Sequence, residues 1–270
     1  MDDIINILIC TAKQIGLWIL PPVILSMLMY KTVGTLQKMI TRVLGLRAYM
    51  LLFGWSGTLI HELSHLLVGS LFLHKIDSFH INLFTSNTGK AGSIRLRHNP
   101  DSIFQKSGNF FIAIAPIFIC TAVIYLSQKI LVPEFLPILS FETLTITAFM
   151  KGIYTTFFNM GRQLIHPQNI DIWKGVLFVY ILVCVGSGIR LSKTDMKRAL
   201  PGVVLLVGIF LTINISRVII QPDFRIPWDV SFGFIYIYTV MILALVLNML
   251  IAGLFYIIAG VRNRALIKPS

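Results

Sequence analysis

Apolar residues along this chain fall into runs long enough to cross a lipid bilayer, separated by shorter polar segments. A helix of about 20 apolar residues spans the hydrocarbon core. By that measure six spans are predicted, at about 15–30, 48–73, 109–131, 172–189, 199–220 and 232–261. Pro21 and Pro22 interrupt the first, where a missing N–H and a fixed φ kink or restart a helix. The stretch 31–47 is amphipathic, with Lys38 and Arg42 four residues apart, and is expected to lie near an interface. Residues 133–170, moderately apolar and broken by Pro133, Pro137 and Pro167, have the composition of a re-entrant or interfacial helix.

Between 75 and 106 the period changes from helical to alternating. Phe79, Ile81 and Leu83 alternate with Ser78, His80 and Asn82, and Ile94 and Leu96 alternate with Ser93, Arg95 and Arg97. Turn formers, Gly89 and Gly92 among them, fill 85–92, so a β-hairpin is predicted as an insert between membrane helices. No repeat or linker divides the chain. The expected fold is a single all-α polytopic membrane domain over 1–270, with about six transmembrane helices and one small hairpin.

Composition agrees with that reading. Of 270 residues 56% are hydrophobic and 13% charged, against about 25% charged in ordinary soluble domains. The mean hydropathy is +0.82. The 23 Lys and Arg outnumber 11 Asp and Glu, but they lie singly or in small groups between apolar runs. Juxtamembrane anchoring accounts for that spacing, and no nucleic-acid-binding motif accompanies it. With six spans and the N-terminus inside, somewhat more than half of these cations fall on the inner side, which favours cytoplasmic termini in a cell membrane. Met1-Asp2-Asp3 lacks the positive start of a secretory signal, so the first apolar segment is expected to be retained. Cys10, Cys120 and Cys184 all sit in apolar stretches and read as small buried hydrophobes.

One span carries charge at its middle. His61-Glu62-Leu63-Ser64-His65 is an HExxH motif, in which a helix brings two histidines at i and i+4 to one face, within reach of one ion. The glutamate between them can act on water as a general base. With six His in 270 residues, chance yields this pattern in on the order of one such chain in seven hundred, so a chemical reason is preferred. Each ionisable group at mid-membrane costs about 2.5–3.5 kcal/mol on insertion scales, and a bound metal would offset that. The competing reading is a polar cluster bonding neighbouring helices, or a proton or ion relay.

A catalytic zinc needs a third protein ligand and an open position for water. The remaining candidates are Asp77, Asp101, Glu134, Glu142, Asp171, Asp195, Asp223, Asp229 and the other histidines. Asp195 opens the fifth span, in the same inner half of the membrane as the later part of the second, so it can converge on the histidines. Ser192-x-x-Asp195 is equally a helix N-cap with an acid in the first turn. Asp171 also opens a span and is the alternative third ligand. His74, His80 and His98, in or beside the hairpin, read as strand and loop residues. Arg190, Lys193, Lys197 and Arg198 read as a positive-inside cluster.

These residues resemble the site-2 protease superfamily of intramembrane zinc metalloproteases, and its small divergent members in particular. The resemblance lies in Gly57-Thr58-Leu59-Ile60-His61-Glu62-Leu63-Ser64-His65, in the strand-rich insert after it, and in Gly108-Asn109-Phe110-Phe111-Ile112-Ala113-Ile114-Ala115-Pro116 at the next span. Ser192, Asp195, Lys197 or Arg198, and Ala199 are similar to the later motif of those members. The Asn-Pro-Asp-Gly or Leu-Asp-Gly of better-known members does not occur. Phe158-Asn159, followed by Pro167 and Asp171, is a distant echo of it. The resemblance covers about residues 45–200. It implies one Zn2+ per chain on His61, His65 and Asp195, Glu62 as the general base, and a membrane-spanning or membrane-proximal protein as substrate. An ion- or proton-coupled transporter or channel, and an inactive metalloprotease-like scaffold in a membrane complex, are the rival expectations. The transporter predicts broken helices in an inverted repeat, and the chain has no such internal symmetry.

Overall fold

The computed structural model describes residues 2–18, 20–81, 92–133, 146–165, 171–220 and 229–266. These form nine α-helices and a two-stranded antiparallel sheet. The helices are α1 (Asp2–Trp18), α2 (Leu20–Leu44), α3 (Leu46–Tyr49), α4 (Trp55–Leu71), α5 (Ile103–Leu131), α6 (Ile146–Ile165), α7 (Ile172–Gly186), α8 (Lys193–Ile220) and α9 (Asp229–Leu266). One π-helical turn (Met50–Gly54) joins α3 to α4, and one 3-10 turn (Ser187–Ile189) closes α7. Strands β1 (Lys75–Ile81) and β2 (Gly92–Arg97) lie between α4 and α5.

Five of the described segments are long and apolar enough to cross a membrane: Ile7–Leu44, which takes in α1 and α2, then Ile103–Leu131, Ile172–Ile189, Lys193–Ser216 and Phe234–Val261. The protein is therefore a multi-pass membrane protein. The expected count of six is not reached, because α4 has 17 residues with His61 and Glu62 on it and falls short in length.

Local chemistry explains most boundaries. Pro21 and Pro22 sit in the first turn of α2, where proline costs no intrahelical bond, so the helix restarts there. That helix then runs through the stretch expected at an interface, with Val33, Leu36 and Ile40 buried, and ends at Gly45, whose φ of 88° suits glycine. Ser102 caps α5 six residues before the expected start, its Oγ accepting from the Gln105 N–H at 3.3 Å. Residues 146–165, left between re-entrant and interfacial, form α6, which packs on α9.

The core lies among α5, α7 and α9, with Ile117, Ile124, Phe178, Leu182, Tyr238 and Met241 buried together. A second cluster joins α2 and the π turn to α9 through Leu36, Ile40, Tyr49, Met50 and Ala252. In lipid such contacts work by close packing and interhelical hydrogen bonds, since the tails are as apolar as leucine. Asn214 of α8 supplies two such bonds, donating to Thr11 Oγ1 and Gln14 Oε1 of α1, each at 2.9 Å.

The strands pair Phe79 with Ile94 and Ile76 with Leu96, with an irregularity at Asp77, whose carboxylate pairs with Arg97. Ile94 and Leu96 turn inward. The loop expected at 85–92 is outside the described residues up to Gly92. The same holds for Glu134, Glu142, Pro167, Asp223 and the side chain of Asp229.

Candidate metal centre

Helix α4 packs backbone to backbone on the end of α7 and the 3-10 turn because glycines let it. A Cβ on Gly57 would stand 2.2 Å from the Cys184 carbonyl and 2.6 Å from Ser187 Oγ, and one on Gly188 would stand 2.4 Å from the Gly57 carbonyl. The two backbones thus touch where any side chain would hold them apart, a small-residue contact of the kind that joins helices in membranes. One turn beyond Gly57, His61 Nδ1 donates to the Gly188 carbonyl at 2.7 Å. The contact that seats the helix therefore also orients the first histidine.

The second histidine is held from α5. His65 Nδ1 donates to the Ile112 carbonyl at 2.8 Å. In an α-helix that carbonyl would be taken by the N–H four residues on, but that residue is Pro116, which has none. A proline buried inside α5 thus leaves free the acceptor that the histidine uses.

The third group comes from the start of α8. Asp195 Oδ2 accepts from the Ser192 N–H at 2.9 Å while Ser192 Oγ accepts from the Asp195 N–H at 3.1 Å, a reciprocal capping box. The same carboxylate lies 3.7 Å from His61 Nε2 and 3.5 Å from His65 Nε2. The cap and the approach to the histidines, weighed in the sequence as alternatives, belong to one side chain. Ser26 of α2 fixes the approach, accepting from the Leu191 N–H at 2.7 Å.

A carbonyl can only accept, so each Nδ1 carries its hydrogen and a neutral ring keeps its lone pair on Nε2. The two Nε2 atoms face each other at 3.1 Å beside the carboxylate, and between two neutral rings of this tautomer neither has a hydrogen to donate. Such a set is repulsive until a cation or proton lies within it. Donor atoms of His61, His65 and Asp195 all fall within 4.8 Å of one another and could hold a metal ion. A tetrahedral zinc with ligand bonds of about 2.0–2.1 Å separates its donors by about 3.3 Å, close to the spacings observed. Hydrogen-bonded Nδ1 atoms are also the usual outer support of zinc histidines. The residues fit the ion.

Glu62 is partly exposed next to His61, with the backbone N–H of Ile94 on β2 directed at its carboxylate. Strand β2 is held on α4 at Gly69, where a Cβ would meet Leu96 Cδ1 at 2.5 Å. The hairpin edge and the glutamate therefore share one wall. Asp171 is exposed and paired with Lys174 at 2.8 Å, apart from the converging groups. His74 is engaged with the Phe72 carbonyl and Asn109 Oδ1, each at 3.3 Å, and its ring lies tilted at 40° to that of His98. Gly57, Gly188, Ile112 and Pro116 were not foreseen as parts of the site. Gly57, Ile112 and Pro116 do lie in the two segments that carry the resemblance, but nothing in the sequence marks their contacts with the histidines.

No family model, curated protein or solved structure matches this chain.

Proposed function

We propose that this protein is an intramembrane zinc metalloprotease of the site-2 protease kind, hydrolysing a peptide bond in or near the bilayer. The observation that carries this reading is the convergence of two histidine Nε2 atoms and one carboxylate beside Glu62, on a helix surrounded by membrane-crossing segments. With α4 counted as a sixth span, both termini share one face, which we assign to the cytoplasm of a cell membrane.

In this reading His61, His65 and Asp195 hold one zinc, which supplies a Lewis acid that polarises the scissile carbonyl and acidifies water beside it. Glu62 takes a proton from the attacking water as its oxygen adds to the carbonyl carbon. Glu62 then returns that proton to the amide nitrogen as the C–N bond breaks, leaving a carboxylic acid and an amine. The Gly188 and Ile112 carbonyls keep both imidazoles in the ligating tautomer. A peptide bond inside a helix is shielded, so the substrate must unwind locally before water reaches it.

The test is zinc content by plasma mass spectrometry, together with cleavage of a membrane-embedded reporter peptide, for wild type and Glu62→Gln. About one zinc in both proteins with turnover only in wild type supports the proposal. Wild-type protein that binds no zinc when supplied with it sinks the metalloprotease reading and returns the cluster to a relay or scaffold role.

A further inference from the structure

A cavity of about 600 Å³ opens between the first turns of α5, the first turns of α8 and the end of β2. Its polar wall carries Lys106, Arg198, His98 and Asn109. Among the described residues no carboxylate lines it. Asp195, one turn before Arg198, has its oxygens on Ser192 and toward the histidines, and neither Lys106 nor Arg198 forms an ion pair among the described residues. Two cations thus face one hollow with no counter-charge among its described lining residues, and His98 and Asn109 lie beside them.

The rest of the wall is apolar, and it leads outward. Ile103 and Leu205 line the hollow, and both are exposed. Below Leu205 the same face of α8 continues to Ile209, also exposed, within a segment apolar enough to cross the membrane. At Gly202 the two helices touch, since a Cβ there would stand 2.1 Å from Phe110 Cβ. That contact closes the floor, and the cavity opens above it at the level where both spans begin. A cationic cup at a span's start, continuous with a lipid-facing apolar track, matches a molecule with an anionic head and a hydrocarbon tail.

We propose that this cavity binds an anionic glycerophospholipid, with its phosphate between Lys106 and Arg198 and an acyl chain along Leu205 and Ile209. The source is the bilayer and not a free phosphate, because half of the wall is apolar and open to the tails. The cavity adjoins the metal centre, since Ile112, whose carbonyl holds His65, also lines it, but the binding proposed does not depend on proteolytic activity.

The experiment is native mass spectrometry of the full chain in neutral detergent, with phosphatidylglycerol and phosphatidylcholine of equal acyl length in competition. Wild type should retain phosphatidylglycerol about tenfold over phosphatidylcholine. Lys106→Gln with Arg198→Gln should abolish that preference, whereas Lys193→Gln with Lys197→Gln, cations of the same helix that do not line the cavity, should keep it. Leu205→Trp keeps every charge but fills the apolar end, and it should cut retention several-fold even if the double cation variant proves unstable. Equal retention of the two lipids by wild type overturns the proposal, as does an equal loss in both cation pairs. Displacement of the lipid by micromolar glycerol phosphate would reassign the cavity to a small soluble anion and overturn it as well.

Discussion

Among the described residues two pairs of histidine rings lie close together, and one of them stands with a third group that could complete a metal site. The rings of His61 and His65 are 4.7 Å apart and those of His74 and His98 are 5.7 Å apart, so proximity does not separate them. The difference is which nitrogen is left over. In the first pair each Nδ1 is bonded to a backbone carbonyl, and both Nε2 atoms are turned to the same point with Asp195. In the second pair His74 has both nitrogens engaged, one by its own turn and one by Asn109, and among the described residues no carboxylate joins the pair in a group that could hold a metal. A metal site is made by backbone acceptors that commit one nitrogen of each ring, at least as much as by the rings themselves.

The strongest way to break that comparison is to exchange the pairs' fates by mutation. His61→Ala or His65→Ala is expected to lower zinc from about one per chain to below a tenth, and reporter cleavage by more than about a thousandfold. His74→Ala and His98→Ala should leave zinc content unchanged. Zinc lost equally from both sets would mean that the hairpin pair contributes to binding, and the distinction drawn here would fall.

Glu62→Gln comes next, with an expected loss of about 10²–10⁴-fold in cleavage and none in metal content, the range for a general base. Asp195→Asn should weaken zinc binding by about 10–100-fold, measured by competition with a chelator. Asparagine also caps helices, so a fall in zinc affinity with little change in thermal stability would separate ligand from cap. The same loss in Asp171→Asn would move the third ligand there.

Smaller effects are expected where backbone meets backbone. Gly57→Ala puts a methyl group 2.2 Å from the Cys184 carbonyl, a fixed atom, so α4 must move away from the 3-10 turn. A cost of about 1–3 kcal/mol is expected from such overpacking. Because Gly188 then retreats from His61, zinc affinity should fall as well. Gly34→Ala is the control, since nothing stands within 4 Å of that position. A lowered melting point with zinc affinity unchanged would show that the glycine contact packs the helix without orienting the histidine.

These contacts mark the limit of what could be read in advance. The spans were legible because a bilayer imposes one length on every apolar helix, and the hairpin because alternation at 78–83 and 93–97 has a period no helix shares. His61 and His65 were legible because i and i+4 meet on any helix. Asp195 was legible as an acid at the start of a span, although its dual use as cap and as neighbour of the histidines was not. The count of about six spans goes beyond the five long apolar segments at α4, where the motif interrupts the apolar run and a π turn precedes a helix of 17 residues. The carbonyls of Gly188 and Ile112 could not be read, because every residue has a carbonyl and only the fold decides which are left free.

Pro116 is the finest test of that last point. Pro116→Ala gives α5 an N–H at the position where the Ile112 carbonyl now serves His65 alone. The carbonyl has two lone pairs, so the new bond competes without excluding the old one. Zinc affinity should therefore fall only several-fold, by drawing the carbonyl toward the helix axis and loosening the His65 ring. Thermal stability should not fall with it, because a proline inside a helix costs about 3 kcal/mol relative to alanine, which offsets the methylenes lost from a buried site. A variant at least as stable as wild type but poorer in zinc binding is the signature of a residue kept for the site and not for the helix. Unchanged affinity would mean that the imidazole is aligned by Asp195 and the packing of α4, with the freed carbonyl following the ring instead of directing it.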